Sequence, residues 1–384
     1  MKKPFSLLLV LTSLTLGAFA QAQEPMTITV KKGDTINVAF KGLSGADAEA
    51  ISKVLLNDLA ISGTINVGVP ERATYTISGT AGSASLQGSV ADSRDSAVLT
   101  KTYTGNARSL AHQFADDIVE TLSGKPGIAN TKIAFASSRS GRKEIYLADY
   151  DGANVQQITR DNAISVAPAL SADGSKLAYT GYQSGYADIY LVQLGSGARN
   201  RIVKFPGTNS GAAFSPDGSR IACTISKDGN PELYTVSASG GGARRLTRTK
   251  GVESSPTWSP DGREIIFTSD ENGSPQLNRI SSAGGSGTPI STGFGFCTEP
   301  SWSPDGRKVA FTVRSGGFSI AVKDLSGGPG QILVSGQDPV WGPNSRHLIY
   351  STGSSLVLLD TQTRKTYPII SGLGQVGEPT WARK

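Results

Sequence analysis

A motif of up to seven residues returns six times along the second part of the chain, and this repeat constrains the fold more than any other feature. Its fullest form is Pro256-Thr-Trp-Ser-Pro-Asp-Gly262. The successive copies begin at Pro168, Ala212, Pro256, Pro300, Pro339 and Pro379. Their start-to-start spacings are 44, 44, 44, 39 and 40 residues. A regular period of this length predicts a repeat architecture in which each copy is one structural unit.

Each repeat has the pattern of four short strands. In the Pro-Asp-Gly turn, Pro presets φ, Asp binds its own backbone and Gly accepts a positive φ. An alternating strand such as Glu264–Ser269 follows. The pair Ile145-Tyr146 marks a third strand and recurs 44 residues later as Ile189-Tyr190. Four strands in about 40–45 residues is the blade of a β-propeller. The turn aspartates are therefore predicted to shape turns and not to bind a metal: Asp173, Asp217, Asp261 and Asp305.

The ends of the repeat region predict a closed ring. Residues 132–159 contain the second, third and fourth strands of a blade, whereas Pro379-Thr-Trp381 is a first strand only. Together they complete one blade, so the prediction is a six-bladed propeller of four-stranded blades closed by the C-terminal strand. Closure hides strand edges that an open array would expose. The tryptophans share one phase of the repeat and are predicted to pack between blades: Trp258, Trp302, Trp341 and Trp381.

Residues 21–125 lack the repeat, and their mixed pattern predicts an α/β domain. Apolar spacing predicts a helix from an N-cap at Ser44 to a stop at Gly63, and a second from near Asn106 to Gly124. The apolar stripe of the second helix is predicted to face the core: Leu110, Phe114, Ile118 and Leu122. The predicted organisation is a signal peptide at 1–20, the α/β domain at 21–125 and the propeller at 126–384.

The first 20 residues have the features of a secretory signal peptide. Lys2 and Lys3 precede an apolar run from Leu7 to Ala20, and Ala18-Phe-Ala20 offers a cleavage site. The run of 14 residues (20 − 7 + 1) is too short to span a bilayer. We therefore expect an exported protein that does not span the membrane. The net charge of +6, or +4 without the two lysines, is scattered along the chain and predicts no nucleic-acid partner.

The residues needed for catalysis or metal binding are scarce. The chain has no Gly-x-Ser-x-Gly elbow and only two histidines, His112 and His347. His112 is predicted to have a structural role at the domain junction, and His347 is predicted to lie on the surface. Cys223 and Cys297 fall in different phases of the repeat and are predicted to be buried, unpaired thiols. We expect no catalytic residue, metal or cofactor. A protein-binding scaffold is favoured, and a propeller peptidase or a channel that binds a small molecule or ion are the alternatives.

Particular segments carry a resemblance to a known family. The passage from Ala111 to Gly127 followed by Thr131-Lys-Ile-Ala-Phe135, together with Asp149-Tyr-Asp-Gly152 and Phe205-Pro206, resembles the TolB family of the Tol–Pal envelope system. The resemblance implies a non-enzymatic periplasmic scaffold that links a Pal-like peptidoglycan-associated lipoprotein to a TolA-like inner-membrane protein. Such a scaffold supports outer-membrane integrity and envelope constriction during cell division.

The resemblance and the repeat together indicate where partners would bind. Polar residues just before each repeat motif are expected to surround one mouth of the channel, and the family's Pal-binding positions correspond to this set, most clearly at Thr208, Gly211, Ser254 and Ser255. The predicted mouth residues are Thr208, Asn209, Ser210, Gly211, Glu253, Ser254, Ser255, Thr298, Glu299, Asp338 and Glu378. The resemblance also implies that the N-terminal segment engages the TolA-like partner. That segment comprises Met26, Thr27, Ile28, Thr29 and Val30.

Overall fold

The computed structural model describes residues 35–68 and 70–383. The predicted signal peptide and the predicted partner segment Met26–Val30 lie outside the described residues. Among the residues that are described, no helix has both the length and the apolar character needed to cross a membrane.

The N-terminal region folds as a five-stranded sheet with two α-helices, which agrees with the predicted α/β class. Its strands are β1 (Ile36–Gly45), β2 (Ile65–Val67), β3 (Tyr75–Ala81), β4 (Ser85–Asp92) and β5 (Ala97–Thr104). Its helices are α1 (Ala48–Ser62) and α2 (Ala107–Ser123), and a single 3₁₀ turn spans Pro70–Arg72. The strand order is β2-β1-β3-β4-β5, with β1 parallel to both of its neighbours and the remaining pairs antiparallel.

Three of the four predicted helix ends are confirmed by the structure. Asn106 caps α2 by accepting a hydrogen bond from the Ser109 N–H at 3.0 Å, and Gly63 and Gly124 end the two helices in the left-handed conformation. The prediction that Ser44 caps α1 is wrong. Strand β1 continues to Gly45, so Ser44 belongs to the sheet and Asp47 takes the N-cap position. The predicted stripe of α2 is fully buried, as expected.

The remaining strands form six blades around a central channel. Blade II contains β9 (Ser165–Leu170), β10 (Lys176–Gly181), β11 (Asp188–Gln193) and β12 (Arg199–Val203). Blade III contains β13 (Asn209–Phe214), β14 (Arg220–Ile225), β15 (Glu232–Ser237) and β16 (Arg244–Arg245). Blade IV contains β17 (Glu253–Trp258), β18 (Glu264–Ser269), β19 (Gln276–Ser281) and β20 (Thr288–Pro289). Blade V contains β21 (Cys297–Trp302), β22 (Lys308–Arg314), β23 (Phe318–Asp324) and β24 (Gln331–Ser335).

The last strand, β28 (Thr366–Trp381), closes the ring by belonging to two blades. Its first half completes blade VI, and its second half is the innermost strand of blade I. Blade VI also contains β25 (Gln337–Trp341), β26 (His347–Ser351) and β27 (Gly353–Asp360). Blade I also contains β6 (Lys132–Ser137), β7 (Glu144–Asp149) and β8 (Gln156–Gln157). The predicted six-bladed ring with C-terminal closure is therefore confirmed.

The core of the propeller lies between the blades. Cys223 is buried between blades II and III, and Cys297 between blades IV and V. The two thiols lie in different cores and are both free, as predicted. The four tryptophans also occupy separate cores between neighbouring blades, in agreement with the prediction. The turn aspartates behave as expected: Asp261 accepts hydrogen bonds from Ser259 Oγ at 2.6 Å and the Arg263 N–H at 3.1 Å.

A buried polar network joins the N-terminal domain to blade I. Asp58 on α1 accepts a hydrogen bond from the Tyr150 hydroxyl at 2.7 Å and one from His112 Nδ1 at 2.7 Å. The other ring nitrogen of His112 accepts from Arg108, whose guanidinium also reaches Asp151 at 2.8 Å. His112 therefore lies at the domain junction as predicted, with its hydrogen-bond partners on the two helices.

A second polar contact joins the N-terminal domain to blade VI, and it overturns the prediction for His347. This histidine is fully buried, and its Nε2–H donates to the Ile61 carbonyl at 3.0 Å. Burial lowers the pKa of His347 to about 4, which keeps the ring neutral. Beside it, Arg346 donates to the Gly63 carbonyl at 2.8 Å. The repeat pattern could not reveal this burial, because the cover comes from the other domain.

We expect Asp58→Ala to weaken the domain junction. The substitution leaves the Tyr150 hydroxyl and the His112 Nδ1–H buried without their acceptor, a loss that costs about 3–5 kcal/mol in comparable sites. Calorimetric unfolding and limited proteolysis of the segment 124–131 are the measurements. Asp47→Ala is the matched control, because Asp47 forms no side-chain cap bond, and it should change stability by less than about 1 kcal/mol. Equal effects of the two substitutions would contradict this account.

Candidate functional site

The innermost strand of every blade carries one residue in the left-handed conformation at the same position. The φ angles lie between 48° and 64°. The six residues are Ala167, Gly211, Ser255, Glu299, Asp338 and Glu378. Five of them are not glycine, and a left-handed non-glycine residue costs on the order of 1 kcal/mol or more. Because a β-bulge accompanies each of them, the strand bends and its first residues turn toward the channel mouth.

Three of these residues are acidic and lie on consecutive blades. Glu299 accepts a hydrogen bond from the Asp338 N–H at 3.0 Å, and Asp338 accepts one from the Glu378 N–H at 2.9 Å. Glu378 in turn accepts from the Ala167 N–H. Each carboxylate therefore binds the backbone of the next blade, and the chain of three stabilises the bulges that hold it. Lys143 Nζ lies 3.4 Å from Glu378 Oε1.

The surroundings of the three acidic residues raise the pKa of one of them, Asp338. Burial, and then the charges of Glu299 and Glu378, raise the pKa of Asp338 to about 8. The three side chains line a cavity of about 770 Å³ together with Lys143, Ala167 and Ser255. A cavity with clustered carboxyl oxygens suits a ligand that presents hydrogen-bond donors or positive charge.

The predicted mouth residues lie at one end of the channel, but their accessibility differs. Ser255, Glu299, Asp338 and Glu378 line the same cavity, and Thr208 is exposed just before strand β13. Ser210, Gly211, Ser254 and Thr298 are half-buried at the starts of their strands. These residues belong to bulged strands and not to loops. The left-handed backbone and the contribution of Lys143 were not predicted, because neither follows from the motif.

Two of the predicted residues are structural. Asn209 is fully buried, and its Nδ2 donates to the Phe205 carbonyl at 2.8 Å and to the Ala187 carbonyl at 3.1 Å. Glu253 is also fully buried and accepts from Ser269 Oγ at 2.8 Å. Burial raises the pKa of Glu253 to about 7. Neither side chain reaches the surface of the mouth.

A group that resembles a metal site lies at the opposite end, at the domain junction. Potential ligand atoms of His112, Asp149 and Asp151 lie within 4.8 Å of one another. The Arg108 guanidinium contacts all three side chains, and Lys132 also contacts Asp149. Because these cations balance the carboxylates, the group is an ion-pair cluster that holds the two domains together.

The two ends of the channel therefore differ. The N-terminal domain packs against blades I and VI at the end that contains Tyr150 and Asp360, and the acidic mouth lies at the other end, where β28 passes Glu378. The fold and this mouth define the class of protein: a six-bladed β-propeller with an α/β domain on one end and a polar, acidic cavity at the other.

Comparison with known proteins gives the family. A family model described as the TolB beta propeller domain matches residues 119–384. This is more than half of the chain, so the chain belongs to the TolB beta-propeller family. The chain is 43% identical over 93 residues to a protein named TolB homolog of Chlorobaculum tepidum, covering 23% of this chain and 21% of the relative. It is 48% identical over 80 residues to the Tol-Pal system protein TolB of Geobacter metallireducens, covering 20% and 19%. The aligned segments thus span about a fifth of these relatives.

A solved structure extends the likeness to both domains. The crystal structure of TolB from Acinetobacter baumannii matches with a TM-score of 0.81 and 25% identity, covering 91% of this chain and 97% of that chain. A putative TolB from Agrobacterium tumefaciens matches with a TM-score of 0.53 and 18% identity, covering 64% and 91%, which shows the fold alone.

We expect Asp338→Asn to reduce the pH dependence of stability. A carboxyl whose pKa is raised from 3.8 to about 8 makes the folded chain bind more protons, so the free energy of unfolding falls as pH rises from about 4 to about 8. Asparagine removes this loss and can still accept the Glu378 N–H. Thermal unfolding at pH 5 and pH 8 should show a Tm for the variant that falls less than that of the wild type, by at least ~2 °C. Glu271→Gln, at an exposed position, is the control. If the Tm of Asp338→Asn changed with pH as the wild-type Tm does, the raised pKa of Asp338 would be contradicted.

Proposed function

We propose that the protein is a periplasmic scaffold of the Tol–Pal envelope system and not an enzyme. In this role it holds a Pal-like peptidoglycan-associated lipoprotein over the acidic mouth and engages a TolA-like inner-membrane protein through Met26–Val30. It thereby supports outer-membrane integrity and envelope constriction during cell division. Family membership and the name of the Geobacter relative support the system, and the predicted signal peptide supports export.

One observation carries the assignment of the mouth. All six blades place a left-handed residue and a bulge at the same end of the channel, although the sequence of the motif varies among them. Strained backbone with bulges concentrates at binding sites. The N-terminal domain packs on blades I and VI at the opposite face of the ring, so it leaves this mouth free for a partner.

The partner would bind through donor groups. Carboxyl groups of Glu299, Asp338 and Glu378 are acceptors on the cavity wall, and Ser255 lines the same cavity. A protruding partner loop that presents N–H groups or a basic side chain would satisfy these acceptors. We assign Asn209 and Glu253 to supporting this surface from within, since both are buried.

A substitution at the mouth should weaken lipoprotein binding. Gly211→Arg places a large cationic side chain there, and its Cβ would meet no atom closer than 3.9 Å. Gly218→Arg is the matched control, because it lies in the same blade at the opposite end, has a similar φ of 67° and has open space around it. Calorimetric titration with the soluble domain of the organism's own Pal-like lipoprotein should show binding at least ~10-fold weaker for Gly211→Arg only. If both variants bound the lipoprotein domain equally well, the lipoprotein would have to dock on another surface.

A deletion in the N-terminal segment should abolish binding of one proposed partner and leave binding of the other unchanged. A chain that lacks residues 26–30 should lose capture of the TolA-like protein from detergent-solubilised envelopes, because the proposed contact is in that segment. The same chain should bind the lipoprotein domain as the wild type does, since the propeller is unchanged. Capture of the TolA-like protein at the wild-type level by the shortened chain would overturn the assignment of the segment.

A further inference from the structure

Exposed apolar side chains are concentrated on the face that contains the mouth. Seven large apolar residues are exposed among residues 35–68 and 70–383, and five of them lie in loops or strand ends on this face. The five are Ile164, Tyr182, Tyr186, Val252 and Phe318. A contiguous exposed apolar patch on a folded protein commonly marks a surface for another macromolecule.

Three of the five are neighbours on the loops of blades I and II. Ile164 is 47% exposed, Tyr182 41% and Tyr186 72%. The Tyr182 N–H donates to the Ile164 carbonyl at 2.9 Å, which holds their two loops together. Arg139 and Arg142 lie in the loop between β6 and β7, Arg160 lies in the same loop as Ile164, and all three arginines are exposed. We call this set the blade II crest, and it comprises Arg139, Arg142, Arg160, Ile164, Tyr182 and Tyr186.

The repeat shows that the fold does not need these aromatic residues. At a period of 44, the position of Tyr182 is occupied in blade III by Ser226, and that of Tyr186 by Asn230 (182 + 44 and 186 + 44). The backbone bond is the same, since the Ser226 N–H donates to the Thr208 carbonyl at 3.0 Å. The same loop bond therefore forms with small polar residues at these positions, and the two tyrosines add exposed aromatic area.

The charges of the crest select the chemistry of the partner. Within the described residues, Arg139, Arg142 and Arg160 form no ion pair. The nearby Asp161 cannot neutralise them, because it is bound by Arg199 at 2.6 Å and by the Tyr179 hydroxyl at 3.1 Å. Unpaired guanidinium groups beside exposed tyrosines match carboxylates placed next to an apolar side chain.

The crest adjoins the acidic mouth. The Lys143 carbonyl accepts the Ser165 N–H at 2.8 Å at the base of the crest loops, while Lys143 Nζ reaches Glu378 in the mouth. A partner that fills the mouth and extends over blade II would contact both zones. The mouth is acidic and the crest is basic. A partner with a basic region facing the mouth and an acidic region facing the crest would therefore be held in a single orientation.

We propose that the blade II crest is a second contact zone, which orients the mouth-bound protein by binding an acidic surface with an exposed apolar side chain. This inference rests on the proposed function, and it adds where and by what chemistry the partner is recognised beyond the channel. The tyrosines would provide the buried apolar contact, and the arginines would pair with carboxylates and speed association.

Binding of the soluble lipoprotein domain to the full mature chain tests the proposal. Tyr182→Ser with Tyr186→Asn installs the residues of blade III and should weaken binding ~10-fold or more, mainly through faster dissociation. Arg139→Glu with Arg142→Glu should slow association and reduce its dependence on salt. Ile332→Ser, on the outer strand of blade V, and Arg263→Glu, in a turn at the opposite end, are the matched controls and should bind as the wild type does.

The outcomes separate the two proposals. If the wild type binds and Gly211→Arg weakens binding, but the crest variants bind like the controls, the crest proposal is overturned and the mouth remains. If the wild-type chain does not bind the lipoprotein domain at all, the proposed function fails, and the crest proposal fails with it. Circular dichroism and thermal unfolding that match the wild type exclude misfolding, which is not expected because blade III folds with the substituted residues.

Discussion

The pairing of β28 with strands from both ends of the propeller is the interaction on which the rest of the structure depends. Its first half pairs with β27, where Leu359 lies opposite Thr366, and its second half pairs with β6, where Trp381 lies opposite Ile133. One continuous strand therefore binds the last blade to the first. Without it, two edges would be exposed and the acidic mouth would lose Glu378, since that residue lies within the closing strand.

The same closure also determines where the N-terminal domain can bind. A single apolar core runs from the helices of that domain into blades I and VI, the two blades that β28 joins, and includes Phe114, Tyr150 and Trp381. Polar contacts lie on both sides of it, with Asp58 and His112 toward blade I and Arg346 and His347 toward blade VI. The domain thus covers the seam of the ring. This arrangement couples the integrity of the closure to the attachment of the domain.

The repeat made the propeller predictable, because turn chemistry and period are local signals that recur in register. The six blades, the closure, the tryptophans and the free thiols all follow from phase within the repeat. The errors have a common cause, since they concern positions whose environment is set by distant parts of the chain. Ser44 was misassigned because β1 extends through it, and His347 because the N-terminal domain buries a face that the repeat alone would leave exposed. The left-handed residues were missed for a different reason. Five of the six are not glycine, so composition contains no sign of a positive φ.

The bulges also explain how the mouth can be both strained and acidic. A left-handed residue turns its N–H out of the sheet ladder, and this donor needs an acceptor from elsewhere. For Ala167, Asp338 and Glu378 the acceptor is the carboxylate of the preceding blade, whereas for Gly211 it is Thr180 Oγ1 at 3.2 Å. The acidic side chains thus have a structural role in the bulges, while Glu299 Oε1 and Asp338 Oδ1 take no part in these bonds. A partner that donates to those oxygens would act on the same carboxylates that connect one blade to the next. The proposed binding of a partner at the mouth would therefore be linked physically to the ring that β28 closes.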